Sequence, residues 1–188
     1  MGQSDFDTDA CVLAVQQWLE NTVIGLNLCP FAARPYRADQ VRIRVIEAGE
    51  TQDILREIYA EMSLLWDKDP EKVETSVLVC PALSASFDDY LDCLELAEDL
   101  IEGASWEGEI QIASFHPDYC FDGVAEDDPS NYTNRAPQAI FHLLREASLE
   151  AAIAAYGDTA LIPERNIQLF QSKSAAELND LFPYLIEK

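Results

Sequence analysis

The chain contains two histidines, and each stands among other groups that can move a proton or hold an anion. In Phe115-His116-Pro117-Asp118-Tyr119-Cys120 an imidazole, a phenol and a thiol follow one another closely. These are side chains that titrate, donate hydrogen bonds or ligate metals. The second histidine lies in Asn134-Arg135-Ala136-Pro137-Gln138-Ala139-Ile140-Phe141-His142-Leu143-Leu144-Arg145-Glu146. Read as a helix from Pro137, this stretch puts His142, Arg145 and Glu146 on one face at i, i+3 and i+4. The chemistry expected is general acid/base work by His116 or His142. Tyr119 would assist by hydrogen bonding, and Glu146 would hold His142 in one tautomer. Arg135, next to a helix start, suits a carboxylate or phosphate. The plainer reading ties His116 and Tyr119 to loop carbonyls and pairs Arg145 with a surface carboxylate.

Cys29 has two readings: a small core thiol at the end of the first helix, or a reactive thiol beside Arg34 and Arg37, whose charges favour the thiolate. Cys29, His116, Cys120 and His142 are acceptable metal-ligand types, but they lack the paired close spacing of structural zinc modules, so no metal is assigned. Arg34, Arg37, Arg42 and Arg44 gather a third of the 12 basic residues into one short stretch. Such a cluster is a solvated face paired with nearby Asp and Glu, or a basic rim that leads an anionic substrate inward. A phosphate loop, a dinucleotide-binding Gly-x-Gly-x-x-Gly, a Gly-x-Ser-x-Gly elbow and a His-Glu-x-x-His pair are all missing from the sequence. No cofactor is therefore specified.

The elements that must position these residues follow from periodicity. Residues 6–28 carry Val12, Leu13, Trp18, Leu19, Val23, Ile24 and Leu26 at mostly helical spacing, behind Asp5, Asp7 and Asp9. Gly25, Asn27 and Pro30 then predict a turn. Residues 41–47 alternate branched apolar and charged side chains and read as a strand. Thr51 is expected to cap a helix marked by Ile54, Leu55, Ile58, Met62, Leu65 and Trp66. Residues 75–80 form a short buried strand. Ser86 begins a capped helix with an apolar stripe from Phe87 to Ile101, closed by Gly103. Residues 110–115 are a third strand.

A stretch without period, residues 116–136, reads as a functional loop that Tyr119, Phe121 and Tyr132 keep ordered. A helix over residues 137–156 is predicted next, with Gly157 just past its end. Pro163 opens another helix, and Ser174 with Glu177 caps a short last one that Pro183 ends. The fold class expected is α/β: a small, mostly parallel sheet of three strands flanked by helices, with a helical C-terminal third. A parallel sheet would deliver Glu47-Ala48-Gly49, Cys80-Pro81 and His116-Pro117 to one edge, where open α/β sheets bind ligands.

Composition sets the outer limits. The 188 residues, 48% hydrophobic and 25% charged, fit a single globular domain over 1–188 that holds its core without disulfides or metal. Thirty-five acidic against 12 basic residues give a net charge of -23, which disfavours nucleic acid and anionic membrane surfaces as partners. A protein partner is not specified by any feature. Five scattered cysteines make no disulfide framework, and no basic-then-apolar leader opens the chain. Reduced thiols and a cytoplasmic setting are expected. Cys11 and Cys93 sit within apolar helical stripes and read as structural.

Five motifs, in order, carry a resemblance: Asn27-Leu28-Cys29-Pro30-Phe31-Ala32, Ser114-Phe115-His116-Pro117-Asp118-Tyr119, Asn131-Tyr132-Thr133-Asn134-Arg135-Ala136-Pro137, His142-Leu143-Leu144-Arg145-Glu146-Ala147-Ser148 and Ile162-Pro163-Glu164-Arg165-Asn166-Ile167. Over nearly its whole length the chain resembles a family of uncharacterised bacterial and plastid proteins, a domain of unknown function. The resemblance implies no reaction. It does imply that His116, Tyr119, Asn134, Arg135, His142, Arg145, Glu146 and Cys29 are the positions to watch. Cys80 departs from the resemblance, because relatives often carry histidine there, and this tells against a metal site needing that ligand.

Two functions are carried forward. One is an enzyme, a hydrolase or transferase in kind, that acts on a small anionic metabolite. His116, His142, Tyr119 and Glu146 would do its chemistry, and Asn134, Arg135, Arg145 and Cys29 would hold its substrate. It requires His116, Arg135 and His142 to meet in one pocket. The other is a non-catalytic binding or regulatory domain for a protein partner, or a protein that binds a metal through Cys and His ligands.

Overall fold

The computed structural model of the protein describes residues 7–186. Three strands form where alternating or continuous apolar runs required them: β1 (Val41–Val45), β2 (Thr75–Val79) and β3 (Ile110–Phe115). A fourth, β4 (Ile140–Arg145), takes the place of the first half of the helix predicted from Pro137. The helical half is kept as α5 (Glu146–Tyr156), and Gly157 caps it with a φ of 96° that favours glycine. Ile140-Phe141-His142-Leu143-Leu144 is apolar except at His142, so as a surface helix it would leave much apolar area in water. As a central strand it buries both faces, and tertiary pairing overrides the helix propensity of Leu and Arg.

The sheet runs in the order β1-β2-β4-β3 and is mixed. β1 and β2 are parallel with Val41 opposite Thr75, whereas β4 lies antiparallel to both β2 and β3, with Val77 and Ala113 on either side of His142. The expected three-stranded, mostly parallel sheet is thus corrected to four strands with one parallel pair. β1, β2 and β3 nevertheless all point the same way, so their C-terminal ends share an edge as the sequence implied.

Alternation of side chains sends two apolar sets to opposite faces. On one face Ile46, Leu78, Phe141 and Leu143 pack against Ile54, Ile58, Met62 and Leu65 of α3 (Thr51–Asp67) and Tyr90, Cys93 and Ala97 of α4 (Phe87–Gly103). α4 is capped as expected, Ser86 Oγ accepting from the Asp89 amide at 3.2 Å. Arg42 and Arg44 point to this same side. Arg42 Nε lies 2.7 Å from the fully buried Glu61, which also accepts from Ser76 Oγ at 2.8 Å, and Arg44 pairs with Glu57. These two arginines are therefore the paired face of the sequence reading rather than a substrate rim.

The other face meets α1 (Thr8–Trp18), which Asp7 caps and whose Cys11, Val15 and Trp18 pack on Val77, Val79 and Ile140. The first helix does not stay regular. Residues Leu19–Ile24 widen into a π-helix, ending at Gly25 and at Asn27, whose φ is +54°. A Cβ on Gly25 would lie 2.3 Å from the Asn21 carbonyl oxygen, so this turn requires glycine. A short α2 (Ala33–Arg37) follows.

At the C-terminus α6 (Ile162–Gln171) and α7 (Ala175–Leu181) enclose a third cluster of Leu28, Phe170, Leu178 and Phe182, with the Ser174/Glu177 capping box in place. Asn166 Nδ2 donates to the Leu28 carbonyl at 2.8 Å, and Arg165 donates to that of Asn27. The last motif thereby fixes the turn that carries Cys29. Among the described residues no helix is long and apolar enough to cross a membrane.

Candidate functional site

A cleft of about 640 Å³ opens on the α1 side of the sheet. Its floor is the outward face of β2, β4 and β3: Thr75, Val77, Ile140, His142, Ala113 and Phe115. One wall is Trp18 with the π-helix residues Leu19, Val23 and Ile24, and another is the small-residue side of α5, Ser148, Ala152 and Ala155. The segment Cys29 to Tyr36 forms a lip. The size and the apolar lining with a few polar groups match those of small-molecule sites, and π-helical turns recur at functional sites.

His142 lies at the centre of the floor because β4 is the inner antiparallel strand and Ala113, opposite it on β3, leaves room above. Its Nε2 is 2.8 Å from Thr75 Oγ1, whose hydroxyl is 2.5 Å from the Leu143 carbonyl oxygen. A carbonyl only accepts, so the single Thr75 proton goes to Leu143 and Thr75 accepts from His142. The imidazole is consequently the Nε2–H tautomer, and no described residue hydrogen-bonds its Nδ1. Burial lowers its pKa to about 4, so the ring is neutral around pH 7. Glu146, the expected orienter of His142, instead begins α5, and Thr75 does the orienting.

Two other expected residues border the same cleft. Arg145 ends β4 and donates through one guanidinium nitrogen to the carbonyls of Lys68, at 2.7 Å, and Val73, at 3.2 Å; its Nε is buried without a partner. Partial burial lowers its pKa somewhat, against the charges of Glu74 and Asp69. Cys29 lies on the lip, where burial raises the thiol pKa against the hydrogen bonds of the Phe31 and Ala32 amides. The thiol form is thus favoured, and the thiolate expected from Arg34 and Arg37 is not. Arg34 itself is exposed on the lip with no ion pair to any described residue. Tyr36, beside it, donates to Glu20 Oε1 at 2.8 Å and has its pKa pushed up to about 12, by burial first and Glu20 second.

The remaining expected residues are gathered elsewhere. His116 is fully buried on the α4 side of the sheet, between the rings of Phe87 and Tyr90 at 5.1 and 5.2 Å. Its Nδ1 accepts from the Asp118 amide at 3.0 Å, so Nε2 donates to the Leu83 carbonyl at 3.0 Å. Tyr119 Oη is 3.4 Å from Ser114 Oγ, and Asn134 Nδ2 donates to the Ser114 carbonyl at 3.0 Å. Arg135 precedes a strand rather than a helix, so it has no helix N-terminus beside it. It donates to the Glu126 carbonyl at 2.8 Å and lies 4.6 Å over the Tyr132 ring. The buried Asn131 completes the set, accepting from the Phe121 amide at 3.0 Å and donating to the Ala125 carbonyl at 2.8 Å.

These contacts order the long loop, including a 3₁₀ turn at Pro129–Thr133, as its aromatics suggested. They also mean that His116, Arg135 and His142 do not share a pocket, because the sheet separates the two histidines. Nor do Cys29, His116, Cys120 and His142 gather: among the described residues no group of three or more His, Cys, Asp or Glu side chains could hold a metal ion.

Sequence reasoning missed Thr75, Ala113, Phe115 and the π-helix as parts of the site. Thr75 opens an apolar strand run and reads as an ordinary β-former, and Ala113 matters only for the space it leaves. Gly25 is the one local sign of the π-helix.

The protein is thus a mixed α/β fold with an apolar, histidine-floored cleft on one face of its sheet. By sequence it belongs to the family described as Protein of unknown function (DUF1415), whose model matches residues 10–180. Comparison with curated proteins and with solved structures gives no match.

Proposed function

We propose that the protein binds a small organic molecule in the cleft on the α1 face. An apolar body would lie against Trp18, Val77, Phe115 and Ile140, with a polar atom at His142 and an anionic group at the Arg34 lip. The observation that carries this reading is the imidazole of His142, held by Thr75 in an apolar floor with Nδ1 free of any described partner. A polar group so placed fixes the orientation of a ligand that apolar contact holds. Of the chemistry read from the sequence, this reading keeps one histidine, not two, and keeps it as a hydrogen-bond acceptor toward a bound hydroxyl, since burial makes His142 too weak a base to take the proton near pH 7.

An anionic aromatic dye, anilinonaphthalene sulfonate, tests the binding claim. Saturable one-to-one fluorescence enhancement by the wild type is expected, with loss of that enhancement in Ala152→Trp, which fills the cleft from α5. Absence of saturable enhancement, or enhancement unchanged in a folded Ala152→Trp variant, contradicts the proposal.

A further inference from the structure

The hydrogen bonds beneath His142 say more about the ligand than the shape of the cleft does. Thr75 is the first residue of β2, and its hydroxyl reaches across to the Leu143 carbonyl of β4 while accepting from His142 Nε2. Reversing the imidazole tautomer would make Nε2 an acceptor and draw the Thr75 proton away from Leu143. The buried carbonyl would lose that hydrogen bond, so the order of donors along Leu143, Thr75 and His142 is set from below. What His142 shows to the cleft is therefore a lone pair, and burial keeps it from gaining a second proton near pH 7.

Resting on the reading of the cleft as a ligand site, we infer that His142 selects ligands that bring a hydroxyl or N–H donor to its Nδ1, and that the site takes an apolar alcohol or phenol. A carboxylate offers only lone pairs and would meet Nδ1 with like partial charge. An anionic group on the same ligand belongs at Arg34, away from the floor. Thr75 acts through His142 and is a positioning residue, and it sets which kind of hydrogen-bonding group is accepted.

Two probes with a shared naphthalene body separate these claims: 2-naphthol, which donates, and 2-methoxynaphthalene, which only accepts. Dissociation constants are measured at pH 7.5 for the wild type, His142→Phe and Thr75→Val. The wild type is expected to bind the naphthol about tenfold more tightly, as one retained hydrogen bond implies. His142→Phe should bind both probes alike. Thr75→Val keeps the strand-forming shape but frees the imidazole to turn an N–H outward, so the preference should shrink or reverse. Equal affinity of the wild type for both probes, or an unchanged preference in Thr75→Val, overturns the inference while leaving the cleft a binding site. Failure of both probes to bind saturably overturns the proposed function beneath it.

Discussion

The pKa of His142 makes a stability prediction that separates it from the crowd of carboxylates. In the unfolded chain the imidazole titrates near its ordinary 6.5, and in the fold burial lowers this to about 4. A depressed folded pKa means that the unfolded chain binds the proton more readily. Stability is thus unaffected above pH 6.5 and falls as pH drops from there toward 4. Linkage over that interval gives roughly 2 kcal/mol lost at pH 5 relative to pH 7.5, and about 3 kcal/mol as the limit well below pH 4.

Carboxylate titration adds its own acid sensitivity, so the test is a difference between two proteins. Urea unfolding of the wild type and His142→Gln at pH 7.5 and pH 5.0 isolates the one imidazole, because glutamine does not titrate. The wild type should lose about 2 kcal/mol more than the variant between the two values. Parallel losses in both proteins would refute the argument, since they would mean that the ring is as easily protonated in the fold as in water.

Other perturbations test the supports of the site. Tyr90 Oη donates to the Ile140 carbonyl at 2.7 Å and accepts from the Phe115 amide at 3.2 Å, so Tyr90→Phe should cost about 1–3 kcal/mol in urea unfolding; an unchanged midpoint would contradict that role. Removing the buried carboxylate in Glu61→Ala leaves Arg42 and Ser76 without their acceptor. About 3 kcal/mol of destabilisation is expected there, and a loss below about 1 kcal/mol, the range of exposed pairs, would show that the pair is worth no more than a surface one. Gly25→Ala is a test of sign. Helix propensity alone would have alanine stabilise by roughly 1 kcal/mol, whereas the close Asn21 oxygen predicts a loss in thermal midpoint, and a gain would refute the claimed close approach.

Much of the fold was legible because local signals agreed with tertiary need. β1, β2, β3, α3 and α4 stand where periodicity placed them, and the Ser86 cap and the Ser174 capping box are formed as read. Thr51, read as the cap of α3, is instead its first helical residue, with Glu50 before it and no side-chain cap. The failure at Ile140–Arg145 is instructive. Pro137, Leu143, Leu144 and Arg145 all suit a helix, and only the pairing of β4 with both β2 and β3 makes a strand the better burial. That pairing joins residues far apart in sequence and leaves no local mark, except that four of the five residues from Ile140 to Leu144 are apolar.

The site followed the same division. Residue chemistry singled out His142, Cys29 and Arg145, which border the cleft, but grouped them with His116, Tyr119, Asn134 and Arg135, whose contacts order the loop. Motifs shared along a chain need not meet in space. Here the sheet divides them, one set turned toward α1 and the other toward α4. Thr75, which assigns the tautomer, carried no chemical signal because a threonine at the start of a strand is ordinary β-sheet composition.

The most direct measurement is a two-dimensional NMR titration of isotope-labelled protein with 2-naphthol. Saturable shifts should concentrate on the amides of Thr75, Val77, Ala113, His142 and Ala152, around the cleft floor and α5. Shifts clustered instead at His116 to Arg135, or none that saturate, would contradict the assignment of the α1-face cleft as the ligand site.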